Sequence, residues 1–503
     1  MSAGRIGVLV VVSSCATAPP TPPRVRLDAG LVEGARSGEV AAYRGIPYAL
    51  SPAGEWRWKP PRPAAPWTGA LQARELGPVC PQPTERVLMF RRKVVTAAGG
   101  DPATVQPLGP VAEDCLSLNV WTPRRRGAAK LPVIVWIHGG SYAVGSGGDE
   151  AASLAELGVV VVTFNYRLGL LGFMAHPALT KESPHGSSGN YGLLDQVEAL
   201  RWVHRNIDAF GGDRSRVTIL GHSAGGGAVL QLLATPLARG LFQRAIAHSG
   251  TLNMSQPLAS AEAHGVAVAT KLGAPADNPL PALRAVSIDQ LLAVSERGYD
   301  STTDGWALPQ SVLALMKAGA LDPIPLVIGA AAAEADQFAF TPPDTRAAYR
   351  DWVRNEDGPR AERILALYPA ATDADVGAAT RRHMTDRDFV CPARYVAAQR
   401  PGRTWLFLFH GPPAFHGAEL VPLFDQDIGA PASEARRRIG EAMRRYWVQF
   451  AATGDPNQPK LPAWPAYAGT APRHLDIADP IRVTAGLERD ACPIFDEAWE
   501  DAE

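Results

Sequence analysis

The sequence predicts an α/β fold, with a mostly parallel central sheet flanked by helices and helical insertions roofing one end. Three observations carry that expectation. Apolar runs rich in β-branched residues recur along the chain, helical patterns lie between them, and one run ends abruptly in a glycine-bounded serine turn. Buried strands alternating with helices form a parallel sheet covered on both faces.

The strand candidates are Pro132 to Ile137, Val159 to Phe164, Val217 to Leu220, Ala245 to His248, Leu326 to Ile328 and Trp405 to Phe409. Each is short, apolar and free of alternation, as expected for a strand buried on both sides. Short strands ahead of Leu131 are expected to form an antiparallel edge. The clearest helix runs from Leu193 to Phe210, where Leu193, Val197, Leu200, Val203 and Ile207 recur at three- and four-residue spacing. Residues 84–112 are rich in Pro, Gly and basic residues without periodicity and read as a long loop. Residues 251–322 and 342–400 read as helical and loop insertions between late strands. Ligands in such folds sit at the carboxyl ends of the strands, so these insertions are expected to roof the site.

Composition bounds the function. The chain has 503 residues, 46% hydrophobic and 20% charged, with a formal net charge of −1. That is an ordinary globular balance, and it lacks the clustered basic surplus that nucleic acid requires. No run reaches the roughly 18–20 apolar residues of a membrane-spanning helix. At the N-terminus, Arg5 precedes the apolar run Ile6 to Val12, followed by Ser13, Ser14, Cys15 and a Pro-rich stretch through Pro23. A basic residue and a short apolar core have the form of a secretory signal. Val12-Ser13-Ser14-Cys15 resembles a bacterial lipobox, in which the cysteine carries lipid. We therefore expect residues 1–23 to be a lipoprotein signal and Pro-rich linker, and residues 24–503 to be one exported domain, either periplasmic or attached to a membrane through Cys15. The alternative is a slightly apolar tail or a misplaced start codon. The other four cysteines, Cys80, Cys115, Cys391 and Cys492, are an even number able to pair in an oxidising compartment, with three connectivities open.

Chemistry concentrates at the serine turn. Val217 to Leu220 leads into Gly221-His222-Ser223-Ala224-Gly225-Gly226, and a helical run follows to about Thr235. This is G-x-S-x-G between strand and helix, the context of a nucleophile elbow in the α/β-hydrolase fold. A side chain at Gly221 or Gly225 would collide with neighbouring backbone, and the turn presents Ser223 above the sheet. Upstream, the strand Val133 to Ile137 runs into His138-Gly139-Gly140-Ser141-Tyr142. It matches the HGGG-type loop whose amides hold a developing oxyanion. The expected donors are the amides of Gly140, Ser141 and Ala224.

Taken together, these segments resemble the type-B carboxylesterase family, which includes bacterial esterases, cholinesterases and neuroligins. The likeness runs from about Gly45 to Phe495. It rests on Arg44-Gly45-Ile46-Pro47-Tyr48-Ala49, Glu113-Asp114-Cys115-Leu116-Ser117-Leu118-Asn119-Val120, Asn165-Tyr166-Arg167-Leu168-Gly169, Gly189-Asn190-Tyr191-Gly192-Leu193-Leu194-Asp195-Gln196, Asn206-Ile207-Asp208-Ala209-Phe210-Gly211-Gly212-Asp213 and Gly454-Asp455-Pro456-Asn457. The resemblance implies pairing of Cys80 with Cys115 and of Cys391 with Cys492.

A serine nucleophile needs a base, and the base needs an acid, in the chain order Ser, Asp or Glu, His. His416, in Phe415-His416-Gly417-Ala418-Glu419-Leu420, resembles the family's H-G-x-E segment, with His410 the near rival because it ends the strand directly. Glu334, after Leu326 to Ile328, aligns with the family's catalytic Glu, although Ala333 and Ala335 replace its neighbours, and Asp336 is the alternative. Two departures stand out. His222 replaces the Glu of the family's G-E-S-A-G elbow, either altering pH dependence and substrate choice or only packing, and Ser141 replaces a glycine of the oxyanion loop.

The resemblance thus implies a serine hydrolase that cleaves small-molecule carboxylic esters through Ser223, Glu334 and His416, with no metal and no cofactor. The rivals are a catalytically silent, neuroligin-like binding protein, and an amidase or lipase on the same triad. Oligomeric state and the physiological ester leave no mark in the sequence.

Overall fold

Strands without a polar face must be covered on both sides, and the central sheet is built that way. The computed structural model of the protein describes residues 22–501 except 125–126, 253, 297, 338–341, 470–471 and 488–489, so Cys15 and most of the expected signal lie outside the described residues. One sheet has 11 strands. In chain order they are β1 (Ala35–Ser37), β2 (Val40–Pro47), β3 (Ser117–Pro123), β4 (Leu131–Ile137), β5 (Val160–Phe164), β6 (Gly212–His222), β7 (Arg244–His248), β8 (Leu326–Ala331), β9 (Thr404–Phe409), β10 (Arg473–Ile477) and β11 (Arg482–Ala485). Their spatial order is β11-β10-β9-β8-β7-β6-β4-β5-β3-β2-β1. From β5 across to β10 every neighbouring pair is parallel. Antiparallel pairs form the two edges.

Residues of β4 show why the apolar runs lack alternation. Val133, Val135 and Ile137 enter one apolar cluster, while Ile134 and Trp136 enter another on the opposite face. The segment expected to be a loop at 84–112 is partly helical: Thr84–Ala97 forms α1, followed by a short 3-10 turn at Pro102–Thr104. Only Val87 and Leu88 of α1 are buried, and Met89 and Phe90 face solvent, so no apolar stripe marks the helix in the sequence. Val94 and Ala97 pack against the core, and tethers hold the segment ahead of the helix. Cys80 is bonded to Cys115, and Gln82 exchanges two hydrogen bonds of 2.8 Å with the backbone of Gly145.

Helices α2 (Tyr191–Asn206) and α3 (Ala224–Ala234) cover one face of the sheet. Helix α4 (Glu434–Thr453) covers the other, turning Ile439, Met443, Tyr446, Trp447 and Phe450 inward at helical spacing. The insertions after β7 and β8 are mainly helical, and the first also carries a small parallel ladder, Ser255–Pro257 with Ser301–Thr303. Both reach the carboxyl end of the sheet. The Tyr299 N–H donates to Ser141 O at 2.9 Å, and the Phe389 ring lies 5.1 Å from that of His416. A second disulfide joins Cys391, in the second insertion, to Cys492 of the last helix. Two formed disulfides suit an oxidising, extracellular or periplasmic environment.

Two predictions follow from this scaffold. The Cys391–Cys492 bond closes a loop of 101 residues. The double variant Cys391→Ser, Cys492→Ser should lose about 4 kcal/mol in urea unfolding, because the open chain gains that loop entropy. A loss under about 1 kcal/mol would mean that the last helix holds by packing alone. His138, directly after β4, is buried and stacked on Tyr166 at 4.3 Å. Burial, the largest cause, pushes its pKa from 6.5 down to about 4, against the Gly139 carbonyl that favours its charged form. The unfolded chain therefore binds a proton that the folded chain refuses between those values, so stability falls as pH drops through that window. His138→Asn should reduce the stability lost between about pH 7 and about pH 4.5 by roughly 2 kcal/mol. An unchanged pH dependence would contradict that assignment.

Candidate active site

Ser223 stands between β6 and α3 with φ 58 and ψ −124, a backbone region that side chains rarely occupy. Two hydrogen bonds hold it there: its N–H donates to His248 O at 2.9 Å, and its carbonyl accepts from Gly227 N–H at 2.9 Å. The flanking glycines have no room for a side chain. A Cβ on Gly221 would lie 2.1 Å from Gly225 O, and one on Gly225 would lie 2.1 Å from Ile137 O.

The second contact brings the end of β4 against the elbow. A Cβ on Gly139 would meet His222 O at 2.5 Å and the Ser223 Cβ at 3.0 Å. Beyond it the loop turns tightly, with the N–H groups of Ala143 and Val144 both donating to Gly140 O at 3.0 and 3.1 Å. Gly140, Ser141 and Tyr142 all hold positive φ, and Tyr142 is anchored by stacking on Phe173 at 4.5 Å. Among the described residues, the amides of Gly140 and Ser141 have no hydrogen-bond acceptor. Ala224 opens α3, so its N–H has no acceptor within the helix. Three N–H groups beside one serine are suited to receiving a negative oxygen.

Strands β8 and β9 pair in parallel, with Ala331 opposite Phe409, so the segments leaving their carboxyl ends run side by side. They stay joined where Ala333 N–H donates to Ala414 O at 2.9 Å. Glu334 and His416 lie on these segments, both buried, with His416 Nδ1 2.5 Å from Glu334 Oε2. The other oxygen, Oε1, accepts from Ser249 Oγ at 2.5 Å and from Ala331 N–H at 2.7 Å. The rivals lie elsewhere. His410 pairs with Asp476, and Asp336 is exposed, 3.6 Å from Arg381.

Ser249 escaped the sequence reading. It follows β7, neighbour of β8, and is buried with φ 51. A polar residue just past the end of a buried strand was the available signal. The His222 ring, directly ahead of Ser223, lies 4.5 Å from the ring of His416. Glu419 and His248, also not singled out from sequence, lie within 4 Å of one another beside it.

Known proteins share the sequence and the fold of this chain. A sequence model of the carboxylesterase family matches residues 21–495. Fumonisin B1 esterase of Sphingopyxis macrogoltabida is 36% identical over 482 residues, covering 88% of this chain and 84% of that protein. Para-nitrobenzyl esterase of Bacillus subtilis (strain 168) is 34% identical over 478 residues, covering 87% of this chain and 91% of that protein. Among solved structures, PNB esterase superimposes with a TM-score of 0.81 at 32% identity, covering 94% of this chain and 99% of that one. A thermophilic PNB esterase reaches 0.80 at the same identity, covering 94% of this chain and all of that one. By sequence and by fold, the chain belongs to the carboxylesterase family, enzymes of the α/β-hydrolase fold that hydrolyse carboxylic esters.

Proposed function

We propose that Ser223 is the nucleophile of this ester hydrolase, His416 its general base and acid, and Glu334 the carboxylate that orients His416. The observation that carries the reading is the 2.5 Å contact between His416 Nδ1 and the buried Glu334 carboxylate. A carboxylate can only accept, so Nδ1 carries the proton and Nε2 of the neutral imidazole, being unprotonated, can act as the base. His416 takes the Ser223 proton as Oγ bonds to the acyl carbon. The carbonyl oxygen becomes an oxyanion held by the amides of Gly140, Ser141 and Ala224. His416 then gives the proton to the leaving alcohol, and the acyl group stays on Ser223. Water, deprotonated by the same Nε2, attacks the acyl-enzyme, releases the acid and restores the serine.

Ser249 supports Glu334 by donating to Oε1 while His416 occupies Oε2. Small-molecule esters are the substrate class, and the names of the two relatives make p-nitrobenzyl esters and fumonisin B1 natural first probes. The same reading extends to the N-terminus, where Cys15 carries lipid and residues 24–503 form the exported domain.

The test is hydrolysis of a p-nitrophenyl ester series, acetate through decanoate, alongside the p-nitrobenzyl ester, with folding checked by circular dichroism. Ser223→Ala should lower kcat/KM by roughly 10⁵-fold, and Glu334→Gln by roughly 10⁴-fold. Ser249→Ala removes one hydrogen bond to a carboxylate and should cost roughly tenfold. Full activity in folded Ser223→Ala would overturn the assignment. For the anchor, Cys15→Ser should move the enzyme from the membrane to the soluble fraction and abolish palmitate incorporation. Palmitate labelling that survives in the variant would refute lipidation at Cys15.

A further inference from the structure

Beside His416 lies a second group of buried polar side chains that the reaction as written does not use. His222 precedes the nucleophile, His248 ends β7 in register with it, and Glu419 follows His416 by three residues. All three are buried. His222 Nε2 is 3.6 Å from Glu419 Oε1, and His248 Nδ1 is 3.4 Å from the same oxygen. Among the described residues, neither oxygen of Glu419 makes a hydrogen bond of good geometry, nor do these two ring nitrogens. Both imidazoles thus face the same oxygen of a buried carboxylate, where a polar group needs polar neighbours.

The far side of His248 fixes its proton. Trp447 Nε1–H, which can only donate, reaches His248 Nε2 at 2.9 Å. His248 therefore accepts at Nε2, carries its proton on Nδ1 and turns it toward Glu419. Burial first, then the charges of His416 and His248, push the His222 pKa down to about 3 against the pull of Glu419. Burial, the largest cause, raises the Glu419 carboxyl, but attraction to His222, a long hydrogen bond and attraction from His248, and a backbone hydrogen bond together lower it below the usual carboxylate range. The Nδ1–H of His248 and the ring of His222 thus both face the Glu419 carboxylate.

The titratable groups around His416 can be named. Glu334, from the segment after β8, meets Nδ1. His222, at the end of β6, lies ring to ring with it at 4.5 Å and 47°, with Glu419 and His248 next to His222. The π-turn Asp386–Val390 brings Phe389 to 5.1 Å and also carries Asp386, Arg387 and Asp388. Of these, Asp386 accepts from Tyr368 Oη at 2.7 Å, and Arg387 donates to Asp388 at 2.7 Å.

We propose that His222 is a positioning residue: it wedges the His416 imidazole in place and, with His248, holds the Glu419 carboxylate beside it, where that charge favours the imidazolium formed whenever His416 takes a proton. The proposal rests on the reading of His416 as the base. The elbow Glu of the resembled family is absent here. A neutral ring fills its place, and the negative charge comes from Glu419. A carboxylate within a few ångströms of an imidazole raises the energy of the neutral form relative to the charged one, so its removal disfavours the imidazolium.

The experiment is kcat and KM for p-nitrophenyl acetate measured from about pH 5 to about pH 9 on the full-length enzyme and three variants. Glu419→Gln removes the charge and should move the acid limb of kcat/KM down by about one pH unit. His222→Gln keeps the charge and a donor to it but loses the ring. It should lower kcat roughly tenfold and change KM less than about twofold, with the acid limb unmoved. His222→Glu adds a second carboxylate and should move the limb up by about one unit, which carries the test if Glu419→Gln does not fold. Acid limbs that superimpose on the parent's in Glu419→Gln and His222→Glu overturn the proposal and leave the group a packing feature. Activity retained in Ser223→Ala overturns instead the reading on which it rests.

Discussion

Where β4, β6 and α3 meet, the chain packs backbone against backbone: a methyl group on Gly225 would sit 2.1 Å from Ile137 O, and one on Gly221 would sit 2.1 Å from Gly225 O. Side chains on these positions would force strand and helix apart. With them absent, the carboxyl end of β4 and the start of α3 lie at contact distance. The Gly139–Tyr142 loop and Ser223, more than 80 residues apart in sequence, then occupy one place. Sites built on strand ends and helix starts hold their geometry better than sites on free loops. The rest of the site is arranged around this contact.

Strain gathers at the same place. Ser141, Tyr142, Ser223 and Ser249 are non-glycine residues with positive φ, and each belongs to the loop, the elbow or the support of Glu334. Such conformations cost of order 1–3 kcal/mol each and persist only when the surroundings impose them. Here the surroundings are explicit: Tyr142 is stacked on Phe173, Ser223 is bonded to β7 and α3, and Ser249 N–H donates to Gly329 O at 2.7 Å. The packed sheet supplies the energy that holds these strained residues in place.

Several motifs that mark the family are structural in this chain. Arg167 meets Asp195 through two side-chain hydrogen bonds of 2.8 and 2.7 Å, both residues buried, tying the segment after β5 to α2. Asn165 accepts from Gly147 N–H and donates to the carbonyls of Pro78 and Cys115, pinning the disulfide loop to the end of β5. These polar residues are buried with their hydrogen bonds satisfied, so their loss would cost stability well before it touched chemistry.

The sequence by itself determined the strands and the glycine-rich turns that end β4 and β6, because each is local physics: an apolar run with no alternation, a glycine where backbone approaches backbone, a serine at a strand-to-helix turn. The family resemblance pointed to Glu334 and His416, and the structure brings these two side by side after two late strands. The sequence could not show that Ser249 reaches Glu334 across 85 residues, or that Trp447 sets the tautomer of His248 across 199. Nor could it show α1, whose exposed Met89 and Phe90 erase the helical period and whose tethers are a disulfide and a glutamine outside the helix. Those features depend on which strand lies beside which. Only the tertiary structure decided them, because a hydrogen bond between distant residues leaves no periodicity in either segment that makes it.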